Sequence, residues 1–250
     1  MKQIAIAGKG GTGKTTFSAM LIRNLLQNRL GKSILAVDGD PNANLNEALG
    51  MTLEETISTI LEDTKKPNAV PTGMTKDLFV EYMLQGALVE TEDIDLLVMG
   101  NPQGSGCYCY PNDLLRKHLE KLRANYDYVV VDNEAGLEHL SRRIISDVDT
   151  MIVISDATAR GIRSAGRICE IVQAVKLDVR ELYLVITKVS GNEVDELQGE
   201  IEKTGLKLLG YVPYDPLVAE FDLKGKALTD LPGDSVSVRA VDSIIGKLNL

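Results

Sequence analysis

The chain has 250 residues, 44% hydrophobic and 25% charged, with Gly 22 and Pro 8. That balance supplies a core and a solvated surface, and it excludes disordered, collagen-like and low-complexity polymers. A formal charge of −9 repels phosphate backbones, no basic patch offsets it beyond the isolated pairs Arg142-Arg143 and Lys65-Lys66, and three cysteines are too few for a secreted disulfide framework.

Short apolar runs alternate with helix-length amphipathic stretches along the chain. Strands are expected at Gln3–Ala7, Ser33–Asp38, Ile94–Met99, Tyr128–Asp132, Thr150–Ile154, Leu182–Thr187 and Lys207–Tyr211. Runs such as Ile34-Leu35-Ala36-Val37 and Val129-Val130-Val131 are apolar at consecutive positions, as strands buried on both faces are. Helices are expected at Thr15–Asn28, Asn112–Ala124, Gly161–Val175 and Val194–Thr204, with a packed helix in Ser235–Leu250. Glu62–Lys76, broken by Pro67, Pro71 and Gly73, is an excursion from the sheet, and Asn101–Asn112 is an irregular stretch. The alternation predicts an α/β fold: a single three-layer domain over residues 1–250, with a mostly parallel sheet flanked by helices and functional loops at the strand carboxyl ends. No signal peptide is expected before Gly8, and no apolar run approaches the roughly 18 residues that cross a bilayer. A cytoplasmic protein with neither a membrane nor a nucleic-acid partner is expected.

Gly8-Lys9-Gly10-Gly11-Thr12-Gly13-Lys14-Thr15 stands between a predicted strand and a predicted helix and satisfies G-x-x-x-x-G-K-[ST]. Glycine lets successive N–H groups close around a phosphate, and the helix start adds partial positive charge. Lys14 is then the β/γ-phosphate cation, Thr15 a Mg²⁺ ligand, and Thr16 an α-phosphate contact. Gly8-x-Gly10-x-x-Gly13 also matches the dinucleotide fingerprint, with Asp38 ending the second strand where a ribose-binding acid would sit. The Lys-Thr after Gly13 has no role in that fold, whereas it completes a Mg²⁺-nucleotide site, and Asp132 supplies the second acid.

The order K-G-G-T-G-K-T-T resembles the deviant phosphate-loop class that includes MinD, ParA and the nitrogenase iron protein. The resemblance implies that Lys9 reaches across a homodimer to the partner's nucleotide, where it would stabilise transition-state charge as an arginine finger does. It also makes Asp38-Gly39-Asp40-Pro41-Asn42 a first switch, with Asp40 orienting the attacking water and Asp38 supporting the Mg²⁺ shell. Asp132-Asn133-Glu134-Ala135-Gly136 becomes a second switch, with Asp132 holding Mg²⁺ through water. Adenine contacts are expected from Thr187-Lys188 after the late strand and from Pro213 and Tyr214 in the loop Val212–Pro216; preference for ATP over GTP rests on the resemblance.

Cys107-Tyr108-Cys109 lies in a Gly- and Pro-rich stretch. Residues two apart share a side only in extended chain, so an extended path would turn both sulfurs toward one metal. Two thiolates fill half of a four-coordinate site, and a symmetric dimer would supply four. The alternative is a pair of small buried hydrophobes in a turn. Cys169 is expected in the core, and His118 is expected to be a solvated helix residue.

Taken with the phosphate loop, Asp38-Gly39-Asp40-Pro41 and Asp132-x-Glu134-Ala135-Gly136-Leu137-Glu138-His139-Leu140, the C-x-C pair resembles the CooC-type nickel-insertion ATPases over nearly the whole chain. The resemblance implies a Mg·ATP-hydrolysing homodimer that holds Ni²⁺ or Zn²⁺ at Cys107 and Cys109 of both subunits. Its client would be carbon monoxide dehydrogenase or acetyl-CoA synthase. It also implies a structural or switch-coupling role for His139, and Tyr108 and Tyr110 either shield the metal or pack in the interface. Thiolates alone do not select nickel, since four sulfurs suit zinc or iron–sulfur equally. The rivals are an iron–sulfur electron-transfer ATPase and a ParA/MinD-like positioning switch.

Overall fold

The computed structural model describes residues 1–28, 33–64, 66, 69–101, 109–134, 147–248 and 250. At its centre lies β1 (Lys2–Gly8), flanked by β5 (Tyr128–Asp132) and β6 (Val148–Asp156). Outward from β5 come β2 (Ile34–Asp38), β4 (Asp95–Val98) and the two-residue β3 (Leu88–Val89); outward from β6 come β7 (Val179–Val189) and β8 (Lys207–Pro213). The pairings are parallel except β3–β4, which is antiparallel.

The consecutive apolar positions divide between two cores by strand alternation. Ala5, Ala7, Leu35, Val37, Val129 and Val131 enter one core; Ile4, Ile6, Ile34, Ala36 and Val130 enter the other. The second core is roofed by α1 (Lys14–Asn28), α2 (Leu45–Leu49), the 3₁₀ turn Leu228–Asp230 and α10 (Val236–Ile245). The first is covered by α3 (Ile57–Asp63), α4 (Lys76–Gln85), α5 (Cys109–Leu122), α6 (Ala159–Ala174) and, beyond the short α7 (Glu193–Glu196), α8 (Gln198–Lys203). The remaining helix, α9 (Pro216–Leu223), follows β8. At the β8 side of the sheet, Lys247 Nζ donates to the Leu209 carbonyl at 2.9 Å.

All seven expected strands are present, with β3 added. Two residues are too few to show an alternation, so β3 carried no sequence signal. The excursion around Glu62–Lys76 is bounded by α3 and α4, neither of which the apolar pattern predicts. Thr56 caps α3 in a reciprocal box with Thr59, and the Thr75 hydroxyl accepts from Leu78 N at 3.3 Å. The expected helix at Asn112 starts three residues earlier, at Cys109, because Pro111 sits in the first turn, where no N–H is required. The single helix expected at Val194–Thr204 is instead two, parted at Leu197 (φ −94°, ψ 3°).

His118 departs from expectation. It is 8% exposed, and its Nε2 is buried without a hydrogen-bond partner. Burial pushes its pKa down, with Lys121 acting the same way and Glu81, which pairs with Lys121 across α4 and α5, opposing. A group that binds its proton less readily when folded weakens the fold as pH drops below its ordinary value of about 6.5. His118→Leu is therefore expected to stabilise by about 1 kcal/mol at neutral pH through removal of the orphaned nitrogen. Melting curves at pH 5.5 and 8 test this: the gain should be larger at pH 5.5, and an equal or smaller gain there would refute it.

Candidate functional site

β1 runs directly into the glycine loop, and its packing fixes where the loop begins. A Cβ on Gly8 would stand 2.4 Å from the Ile154 carbonyl oxygen of β6, so only glycine lets the two strands pass there. Gly13 holds φ +86°, the left-handed conformation that turns the loop into α1. The Thr12 hydroxyl donates to the Lys9 carbonyl at 2.8 Å and closes the loop on itself. The first N–H groups of α1 have no partner within the helix and form the anion-binding end.

Beside them is a cleft of about 720 Å³. Gly10, Gly11, Gly13, Lys14, Thr15, Thr16 and Asp40 line it together with Thr187 and Lys188, and so do Pro213 and Tyr214 at the end of β8, three strands away from β1. Gly8, Lys9, Thr12, Asp38 and Asp132 do not line it. Lys9 is exposed, outside the cleft of its own chain, while Lys14 is buried against it.

Asp132 ends β5 and is 1% exposed. Its Oδ2 accepts from the Thr15 hydroxyl at 2.6 Å, and its Oδ1 is buried without a partner. Burial pushes the carboxyl up to about 7, helped by the charges of Asp38 and Asp40 and opposed by the Thr15 bond and Lys14. A buried, unsatisfied carboxylate oxygen next to a threonine at a phosphate-binding helix is a donor set that suits a divalent cation. Asp38 has both oxygens engaged: Oδ1 accepts from Asp40 N and Oδ2 from Leu45 N, each at 2.9 Å. It thus holds the 39–45 loop in place, and burial raises its pKa to about 6. Asp40 Oδ1 accepts from the Asn42 backbone and side-chain nitrogens, both at 2.9 Å.

Thr187 and Lys188 line the cleft, and their polar atoms serve the phosphate loop. The Thr187 hydroxyl donates to the Thr12 carbonyl at 2.6 Å, with the Ser155 carbonyl at 3.1 Å. Lys188 Nζ donates to the Gly11 carbonyl at 2.8 Å from a residue with φ +58°. Tyr214 is 53% exposed, and its N–H donates to the Val189 carbonyl at 2.9 Å. Asn42, Asn44, Asp215 and Lys226 also line the cleft. Asn42 falls in the expected first switch and Asp215 in the expected base loop Val212–Pro216, whereas sequence reasoning missed Asn44 and Lys226.

Cys107, Tyr108, Ala135–Leu140 and the pair Arg142-Arg143 lie outside the described residues. Cys109 is the first residue of α5, so the extended path expected for the pair does not continue past it. Among the described residues, no group of three or more His, Cys, Asp or Glu is placed to hold a metal ion. Cys169 is buried as expected, and burial pushes its thiol up. No helix among the described residues is long and apolar enough to cross a membrane.

Comparison with known proteins agrees with this geometry. Residues 4–228 match the family model of the CobQ/CobB/MinD/ParA nucleotide-binding domain. An uncharacterized ATP-binding protein of Methanocaldococcus jannaschii is 43% identical over 248 residues, 98% of this chain and 97% of the relative. The carbon monoxide dehydrogenase accessory protein CooC of Rhodospirillum rubrum is 30% identical over 92% of this chain and 90% of its own. The MinD cell division protein of Aquifex aeolicus has the same fold, with a TM-score of 0.71 at 21% identity over 99% of this chain and 98% of that one. The chain belongs to the CobQ/CobB/MinD/ParA family of nucleotide-binding P-loop ATPases.

Proposed function

We propose that the chain is a single-domain, Mg²⁺-dependent ATPase that works as a homodimer and as a CooC-like metallochaperone for nickel insertion. The observation that carries the ATPase chemistry is the unsatisfied Oδ1 of Asp132 beside the Thr15 hydroxyl at the start of α1. Thr15 and Asp132, the latter through water, are the residues for Mg²⁺, which when bound neutralises phosphate charge. Gly8 to Thr16 wrap the phosphates with backbone N–H groups, and Lys14 neutralises the β/γ end. Asp40 orients the attacking water, and Asp38 keeps the Asp40 loop in register. Lys9 acts on the partner's nucleotide, which accords with its exposed place outside its own cleft. Pro213 and Tyr214 face the base, while Thr187 and Lys188 brace the loop from that side.

The metallochaperone role is supported by the 30% identity to CooC over most of both chains and by Cys107-Tyr108-Cys109 in the sequence. Two copies bring four thiolates to one intersubunit site for Ni²⁺ or Zn²⁺ as cargo. The client in this reading is a nickel enzyme of the carbon monoxide dehydrogenase or acetyl-CoA synthase kind.

Anaerobic titration of the reduced protein with Ni²⁺, followed by thiolate-to-metal charge-transfer absorption, tests the reading. The expected result is saturation near ~0.5 metal per chain, lost in Cys107→Ser/Cys109→Ser. A band that persists in the double variant, or no band at all, overturns the metal role and leaves the ATPase.

A further inference from the structure

Asp215 is 6% exposed at the base end of the cleft, and its carboxylate is occupied by four donors. Oδ1 accepts from Leu217 N at 3.0 Å, which caps α9. Oδ2 accepts from the Ser235 hydroxyl at 2.6 Å, the Ser237 hydroxyl at 2.9 Å and Ser237 N at 3.2 Å. The Ser235 hydroxyl in turn accepts from Val238 N at 3.3 Å and caps α10. One carboxylate therefore joins the starts of two helices to the segment that carries Pro213 and Tyr214. These bonds hold its pKa down although burial acts the other way.

The far part of α10 is fastened to the phosphate-loop helix. Asn24 Nδ2 on α1 donates to Asp242 Oδ1 at 2.6 Å, and Val241, Ile244 and Ile245 pack in the core with Phe17 and Met20. The helix also lies tight on β8, where a Cβ at Gly210 would stand 2.7 Å from Ile244 Cγ1. So α10 is bound to α1, whose first residues meet the phosphates, and to the 213–215 loop at the opposite end of the cleft. Neither end shifts relative to the other without breaking charge-assisted bonds, of which those from Ser235 and Ser237 to Asp215 are buried and strengthened by it.

We propose that Asp215, through Ser235 and Ser237, is a positioning residue that makes the C-terminal helix the spacer between the two ends of the cleft. The cleft then selects a nucleoside triphosphate over a bare polyphosphate. This rests on reading the cleft as the Mg·ATP site. The hydrogen bonds of Asp215 go to Leu217, Ser235 and Ser237, none of them in the phosphate loop or the Asp40 loop. Its loss therefore falls on the nucleoside half of the ligand and on KM, and spares kcat.

The test compares binding of ATP and of inorganic tripolyphosphate, each with Mg²⁺, by titration calorimetry on the full chain, together with steady-state hydrolysis. The wild type should bind ATP the more tightly. Asp215→Asn, which turns an amide N–H toward the serine donors, should weaken ATP binding about tenfold and leave tripolyphosphate within about twofold, with kcat held at saturating ATP. Ser237→Ala removes a donor but keeps the Ser235 cap; it should move the same way by about threefold and guards against a misfolded Asn variant. Equal losses for both ligands, or no loss for ATP, overturn the spacer. A wild type that binds tripolyphosphate as tightly as ATP overturns the base-end reading itself, and the spacer with it.

Discussion

Asp132→Asn is expected to abolish ATP hydrolysis while making the nucleotide-free protein more stable. The wild-type carboxyl is buried, shares its surroundings with Asp38 and Asp40, and is pushed up to about 7 from 3.8. Since the folded state holds this proton more tightly than the unfolded chain, stability falls as pH rises from about 4 and is lost in full above about 7. Each pH unit between those two values costs about 1.4 kcal/mol, so the cost at pH 8 is on the order of 4 kcal/mol. Asparagine keeps the shape and an acceptor for the Thr15 hydroxyl without the charge. At about 2–4 °C per kcal/mol for a chain of this size, the melting temperature at pH 8 should rise by roughly 8 °C or more, against only about 3 °C at pH 5. Added Mg·ATP should stabilise the wild type and do far less for the variant. A variant that melts below the wild type at pH 8, or that retains hydrolysis, would remove Asp132 from the role given to it.

Lys9→Ala should lower kcat by about 10³-fold, the low end of what a transferred cation supplies to phosphoryl transfer. ATP affinity should change little, because Lys9 does not line the cleft of its own chain. Mixing subunits separates action across the dimer from action within one chain. Asp40→Ala should also be inactive, yet a mixture of the two variants forms sites with an intact Asp40 from one chain and an intact Lys9 from the other. Random pairing predicts recovery of roughly a quarter of wild-type activity. No recovery from the mixture would place Lys9 within one chain or outside the reaction.

The sheet was legible in the sequence because a strand buried on both faces announces itself by unbroken apolar runs, as at Ile34–Val37 and Val129–Val131. The phosphate loop was legible because its glycines are required by backbone geometry, and the close pass of Gly8 under Ile154 shows why. Helices α3 and α4 were hidden by the prolines and polar residues between them, while their starts rest on threonine caps only one residue long. His118 stands among charged residues in the sequence, so nothing local marks its burial, which neighbouring elements decide. Thr187 and Lys188 read in the sequence as adenine contacts, and nothing there shows the bonds they make to the phosphate loop. Their hydrogen bonds reach 175 and 177 residues back along the chain to the phosphate loop, a separation no local pattern encodes.

The two margins of the sheet have a consequence for how copies of this chain meet. One margin carries a two-residue antiparallel strand, and near the other Lys247, just past the end of α10, occupies the Leu209 carbonyl. Very short edge strands and lysines are devices that stop one sheet from extending into the next. Sheet extension is thereby disfavoured at both margins. The homodimer proposed above must therefore be held by side-chain surfaces rather than by a sheet continued from one copy into the next.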